Sequence, residues 1–241
     1  MTGASEVVPL PDDWSFAEGA ALTVAYTTAY AGLVRYGGLR AGERVLIHSA
    51  AGGVGIAATQ IAKLTGAEVF GTASPPKHDA IRGFGVDHPV DYRTHDVVDE
   101  VRRLTGEREP LDLVLDALGG RSFKQSFSLL RPGGRLVCFG ASEIQAGEQR
   151  SRARALRVLA QMPRYNPLKL MRQSKSVIGL NMLALWDARH SLDEYIAPLT
   201  EWAETGAIRP VVAARFPLDQ GPDAHRYLHA RENVGKVVLE P

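Results

Sequence analysis

Residues 45–55, Val-Leu-Ile-His-Ser-Ala-Ala-Gly-Gly-Val-Gly, constrain the fold more than any other stretch of this chain. Val45, Leu46 and Ile47 form a short apolar run of the kind that a parallel sheet buries on both faces. Ala50-x-Gly52-x-x-Gly55 follows at once, and residues 56–64 then carry an Ala-rich apolar helix pattern. Strand, glycine turn and helix in that order are the setting in which a dinucleotide fingerprint has physical meaning. Without a β-carbon, Gly52 admits a pyrophosphate close to the backbone, and Gly55 lets the helix pack tightly on the strand. The helix N-terminus adds unpaired N–H groups and the positive end of its dipole. Ala50 in place of the first glycine is a tolerated departure.

The other periodicities build outward from this unit. Ser15 to Glu18 reads as a capping box opening a helix that runs to about Tyr36, where Gly37-Gly38 stops it. Strands are expected at 68–73, 88–92, 111–115, 135–139 and 176–180. Helices are expected at 75–84, at 97–104 and from Gly120 through Leu130, with Pro132-Gly133-Gly134 as a turn. An amphipathic helix at 192–202 precedes two strand-like runs, 211–216 and 236–239, which flank a helix at 222–230. Strands alternating with helices at this spacing imply βαβ units and an α/β, doubly wound parallel sheet. Ligands bind such sheets beyond the carboxyl ends of the strands. The candidate site therefore draws on residues 50–55, including Ala51, on 72–77, on 117–120, including Leu118, and on 140–142.

The end of the second strand bears on which nucleotide fits. An NAD-type site places Asp or Glu there to accept from the ribose 2′-hydroxyl. Here the residues are Gly71-Thr72-Ala73-Ser74, with Lys77 close behind; Glu68 comes too early and Asp79 lies inside the next helix. A hydroxyl and an ammonium suit a 2′-phosphate, so NADP is the expected cofactor.

Composition excludes more than it proposes. A net charge of +1 gives no global case for nucleic acid or a membrane surface. Cys138, the single cysteine, lies in an apolar run and has no partner for an internal disulfide, which suits a packing role and a cytoplasmic setting. The first ten residues lack the pattern of a signal peptide, and no apolar run is long enough to span a bilayer. His225 and His229 stand one helical turn apart but lack a third ligand placed by the sequence, so no metal site is expected. There is no Gly-x-Ser-x-Gly elbow to support a serine hydrolase. One regional anomaly stands out: residues 149–175, from Arg150 to Lys175, carry eight Lys or Arg and no acid. The main reading is a solvated insertion beside the cleft; acidic lipid or the phosphates of an acyl-CoA are the functional ones, and Pro163 and Pro167 break any long amphipathic helix.

Several motifs together give the chain a family likeness. They are Ala20-Ala21-Leu22 with Thr28-Ala29-Tyr30, the 45–55 stretch, Gly71-Thr72-Ala73-Ser74 with Lys77, and Asp91-Tyr92. Asp116-x-x-Gly119-Gly120, Phe139-Gly140 and the closing Asn233-Val234-Gly235-Lys236-Val237-Val238-Leu239 complete them. With these the chain resembles the medium-chain dehydrogenase/reductase superfamily, in its zinc-independent quinone oxidoreductase branch. Within it, the vesicle-amine-transport-protein-like subgroup is most similar, and polyketide synthase enoyl reductases are near relatives. The resemblance implies a Rossmann-type sheet with Gly52, Gly53, Val54 and Gly55 on the pyrophosphate. It implies Ser74, Lys77 and Tyr92 on the 2′-phosphate and adenosine, and Thr28, Phe139, Gly140 and Ser142 near the nicotinamide. Arg231 and Asn233 would close over the cofactor.

The implied reaction is hydride transfer from NADPH to a quinone or enone; an enoyl-thioester reductase and a non-catalytic NADPH-binding module are the alternatives. The implied layout is a hinge at 1–20, the nucleotide domain at 21–205, and at 206–241 the C-terminal remnant of a GroES-like domain whose N-terminal part would precede this chain. A homodimer through the edge strand between Ser176 and Met182 is also implied.

Overall fold

The structure is a computed structural model and describes residues 10–144 and 152–241. Its centre is a six-stranded, all-parallel sheet. β1 (Arg44–Ile47) and β2 (Glu68–Ala73) are joined by α2 (Gly53–Thr65), and α3 (His78–Gly83) leads to β3 (His88–Asp91). α4 (Val97–Thr105) leads to β4 (Leu111–Asp116), and α5 (Arg121–Leu129) leads to β5 (Leu130–Cys138). β6 (Ser176–Gly179) completes the order β3-β2-β1-β4-β5-β6. That order places the switch point between β1 and β4, the nucleotide position of a Rossmann fold.

Successive residues of β1 divide between two cores, which is why its run of apolar residues is unbroken. Val45 and Ile47 enter the cluster built with α1 (Phe16–Tyr30) and α2, together with Ala57, Ala58 and Ile61. Leu46 enters the opposite cluster, with Val98, Val101, Phe123 and Phe127 of α4 and α5. Alternation across a strand is a period of two, so both faces must be covered by helices.

Local departures from the expected elements have identifiable causes. The capping box forms as expected: the Glu18 N–H donates to Ser15 Oγ at 3.3 Å, and the Ser15 N–H donates to Glu18 Oε2 at 2.8 Å. The helix that follows widens at Ala31–Arg35, where the Tyr36 N–H donates to the Ala31 carbonyl at 2.9 Å. Pro75 and Pro76 tighten the expected helix at 75–84 into a single turn, so that α3 begins only at His78. β5 starts at Leu130 and runs through Pro132-Gly133-Gly134, with a register shift against β4 between Leu111 and Leu113. A bulge accommodates a proline that has no N–H for the ladder.

Three helices fill the segment that periodicity left unassigned: α6 (Arg152–Gln161), α7 (Pro167–Gln173) and α8 (Met182–Arg189). Pro167 opens α7 at its first position, and Asn166 Oδ1 accepts from the Leu168 N–H at 2.9 Å. Asn181 caps α8 in the same way. Arg150, the first of the eight basic residues between 149 and 175, lies outside the described residues. Leu156 and Leu159 are exposed, while Val158 is buried.

α9 (Asp193–Glu204) leads to a separate pair of parallel strands, β7 (Val212–Pro217) and β8 (Lys236–Glu240), joined through α10 (Gly221–Ala230). This pair docks on the glycine turn: the Gly235 N–H donates to the Ala51 carbonyl at 2.9 Å, and Gly52 and Gly235 form a lone parallel bridge. The docking carries the end of α10 to the mouth of the sheet.

Candidate nucleotide-binding cleft

A cleft of about 1310 Å³ opens at the carboxyl end of the sheet. Its base is the turn between β1 and α2. Gly52 caps α2 with extended backbone and offers no side-chain acceptor, so no capping side chain meets the first N–H groups of the helix. Gly55 permits the close approach: a Cβ there would lie 2.3 Å from the Ser49 carbonyl oxygen. An uncapped helix N-terminus beside a lining glycine fits a phosphate.

Beneath the turn lies a chain of buried polar groups. The Ser49 N–H donates to Thr72 Oγ1 at 3.0 Å, and Thr72 Oγ1 lies 3.3 Å from His48 Nδ1. His48 Nε2 lies 3.0 Å from Ser126 Oγ. Ser126 and Ser122 each donate to Asp116 Oδ2 at 2.7 Å, and Oδ1 accepts from the Leu118 N–H at 2.8 Å. Because the Ser126 proton goes to the carboxylate, His48 Nε2 must be the donor to Ser126. Its Nδ1 then accepts from Thr72, which fixes the neutral tautomer. Burial lowers the His48 pKa from its ordinary value, against the pull of Asp116, in keeping with that neutral ring. The chain ties the glycine turn to the end of β4. It escaped the sequence reading, although a histidine closing an apolar strand and serines four apart on α5 were the available signal.

The rim has the opposite character. Ser74 is buried at the end of β2, and Lys77 Nζ donates to the Asn233 carbonyl at 2.6 Å. Burial pushes the Lys77 ammonium down from its ordinary pKa, Arg93 and Arg231 push it further, and Glu232 opposes them. No carboxylate stands at the end of β2. Glu68 sits at the strand's far end, bonded to Arg44 and His88 at 2.8 Å each, and Asp79 pairs with Arg82. The lining acids are Asp96 and Glu143. Asp96 caps α4 and accepts from Gln125 at 3.0 Å. The Glu143 carboxyl is held above its usual range by burial and by the charge of Asp116.

Among the residues singled out from sequence, Ala51, Gly52, Ser74, Lys77, Tyr92, Leu118, Ser142, Arg231 and Asn233 line the cleft. Gly53, Val54 and Gly55 lie in the first turn of α2 behind it, Gly53 against the side chain of Lys236. Thr28, Phe139 and Gly140 are not among the lining residues. The Thr28 hydroxyl donates back to the Val24 carbonyl at 2.6 Å, and the Phe139 N–H to the Asp116 carbonyl at 3.1 Å. Gly140 abuts Ala117. Cys138 is partly buried, its thiol pushed up to about 12 by burial and by Asp116. Among the described residues no group of three or more His, Cys, Asp or Glu is placed to hold a metal ion. None of the described helices is long and apolar enough to cross a membrane.

Residues 84–239, most of the chain, match the zinc-binding dehydrogenase family. The chain belongs to that family. That match begins after β2 and takes in β3 to β8. A synaptic vesicle membrane protein VAT-1 homolog from Danio rerio is 39% identical over 231 residues, 95% of this chain and 47% of that protein. The chain thus spans about half the length of that relative. In solved structures, CurK enoyl reductase superposes with a TM-score of 0.81 at 31% identity, over 99% of this chain and 67% of that one. A quinone oxidoreductase from Thermus thermophilus, solved also with NADPH, superposes with a TM-score of 0.77 at 33% identity, over 97% of this chain and 69% of that one. These relatives place the chain in the medium-chain dehydrogenase/reductase superfamily, as the motifs implied.

Proposed function

We propose that this chain binds NADPH and is the nucleotide-holding part of a reductase that delivers hydride to a quinone or an activated alkene. One observation carries the choice of nucleotide: the end of β2 offers Ser74 and Lys77 to the cleft where an NAD site has a carboxylate. A 2′-phosphate carries about −1.5 to −2 charges and three acceptor oxygens, which a half-buried ammonium and a hydroxyl match. Bound NADPH would supply the hydride. The chain's own contribution is to hold and orient it: the open N-terminus of α2 for the pyrophosphate, and Lys77, Ser74 and Arg231 for the adenosine end. The buried chain from Ser49 to Asp116 keeps the turn fixed while no ligand is there to hold it.

An enoyl-thioester substrate is the second reading, favoured by the close superposition on CurK enoyl reductase. The test of the nucleotide assignment is Lys77→Ala, titrated with NADPH and NADH in parallel. The expected result is a loss of about tenfold or more for NADPH, about 1.4 kcal/mol, with NADH little changed. Equal losses for both would remove the 2′-phosphate assignment.

A further inference from the structure

Helices α6 and α7 carry a surface that neither the core nor the cleft accounts for. Leu156 and Leu159 of α6 are 67% and 55% exposed, and Leu168 and Met171 of α7 are 68% and 73% exposed. Single exposed apolar residues are ordinary; four large ones on two consecutive short helices are not. Both helices are anchored inward on the same wall, α5. Val158 packs against Gly120 and Met162 against Gly119, at the start of that helix. Tyr165 donates its hydroxyl to the Phe123 carbonyl at 3.1 Å, and its ring lies 5.2 Å from that of Phe127. Leu170 packs on the same cluster. With Val158 inward, α6 presents Arg152, Leu156 and Leu159 outward at the spacing i, i+4, i+7, and α7 presents Leu168 and Met171 away from Leu170. The exposed apolar side chains therefore share the side of the molecule that faces away from α5.

The charges among them have one sign. Residues 149–175 hold no acid. Lys175 is buried, paired with Glu109 at 3.1 Å and set over the Phe127 ring, so it belongs to the fold. Arg152, Arg157, Arg164, Lys169 and Arg172 are exposed, and among the described residues none of them makes an ion pair or a side-chain hydrogen bond. The net charge of +1 over the whole chain conceals this local excess. A solvated insertion explains free cations but not the leucines between them.

We propose that the outer face of α6 and α7 docks on an anionic lipid bilayer. The leucines and Met171 enter the headgroup boundary, and the five cations meet the anionic headgroups. Interleaved apolar and cationic side chains suit that surface, because apolar burial and electrostatic attraction then act in one plane. Pro163 and Pro167 are no obstacle, since contacts with α5 rather than helix length hold the face together. A second copy of this chain is the poorer occupant: a two-fold contact through this face sets cation against cation. Arg152 and Ala155 also line the cleft, so docking brings the mouth of the cleft to the bilayer. The inference does not depend on which nucleotide the cleft holds.

The experiment is cosedimentation of this chain with vesicles of phosphatidylcholine alone and of phosphatidylcholine with about one-third phosphatidylserine. Two variants accompany wild type, Leu156→Gln/Leu168→Gln/Met171→Gln and Arg157→Gln/Arg164→Gln/Arg172→Gln. All six side chains are exposed, so the substitutions leave the fold intact. Wild type should bind the anionic vesicles at least about tenfold more tightly than the neutral ones, and each variant should lose about tenfold or more of that binding. Equal binding to both vesicles, or either variant binding like wild type, overturns the proposal. No binding to either vesicle also overturns it, and leaves an acidic protein surface as the partner for these charges. A dimer in sedimentation without vesicles that the apolar variant abolishes overturns it as well, since a second copy would then cover the face.

Discussion

The floor and the rim of the cleft solve opposite problems with polar residues. At the floor, Asp116 is 0% exposed, yet it accepts two serine hydroxyls and a backbone N–H, and beside it His48 is neutral. At the rim, Lys77, Arg93 and Arg231 repel one another around a partly desolvated ammonium. A closed network stabilises the turn without a ligand; an open cluster of cations is strained until an anion arrives. Architecture and binding capacity therefore use different polar residues. Buried groups with every bond made are the former, and half-buried cations in excess are the latter.

Breaking the floor should have the largest effect. Asp116→Ala leaves the hydroxyls of Ser122 and Ser126 and the Leu118 N–H without their acceptor, a loss of about 4 kcal/mol at about 1–3 kcal/mol per orphaned group. Chemical denaturation should show it as a lower midpoint at unchanged slope. Gly55→Val drives a side chain into the Ser49 carbonyl and should cost about 3 kcal/mol. Thermal unfolding of that variant within a degree or two of wild type would mean that the turn can relax.

Breaking the rim should be nearly silent in stability and loud in binding. Arg231→Ala removes a repulsive neighbour of Lys77 together with the anion contact proposed for it. Unfolding should shift by no more than about 0.5 kcal/mol, the range for surface substitutions, while NADPH affinity drops severalfold.

The smallest effect is remote from the cleft, at a third kind of charge. The Glu18 carboxyl is held at about 2, below its usual 4.5, first by the Arg209 guanidinium and then by the Ser15 N–H. A depressed folded pKa means that its stabilisation is present above about 4.5 and is lost as the pH falls toward 2. Glu18→Gln should therefore flatten the acid limb of the stability profile by lowering stability at neutral pH, the variant and wild type converging as the pH falls toward 2. An unchanged acid limb would count against that bond in solution.

Most of this arrangement was legible where local chemistry and global topology agree. The 45–55 stretch announces strand, turn and helix because a buried parallel strand must be apolar on both faces and the turn must shed its side chains. Ser74 and Lys77 were legible for the same reason, since the absence of an acid after β2 is a local fact. The segment holding α6, α7 and α8 was not. Its helices are short, Leu156, Leu159, Leu168, Met171 and Leu183 are exposed, and capping by Asn166 and Asn181 replaces periodicity as the signal. The floor was hidden because its bonds join residues far apart in sequence, 24 between His48 and Thr72 and 78 between His48 and Ser126. The place of α10 in the cleft depends on the Gly235–Ala51 bond, which no local pattern encodes.

The most direct test of the central claim is calorimetric titration of this chain with NADPH and NADH side by side. The account predicts saturable binding of NADPH, tighter than NADH by about tenfold or more, the gap that the rim's charges supply. Equal affinity, or a preference for NADH, would contradict it: the rim would then be a solvated surface, and the cleft would read its nucleotide by other residues.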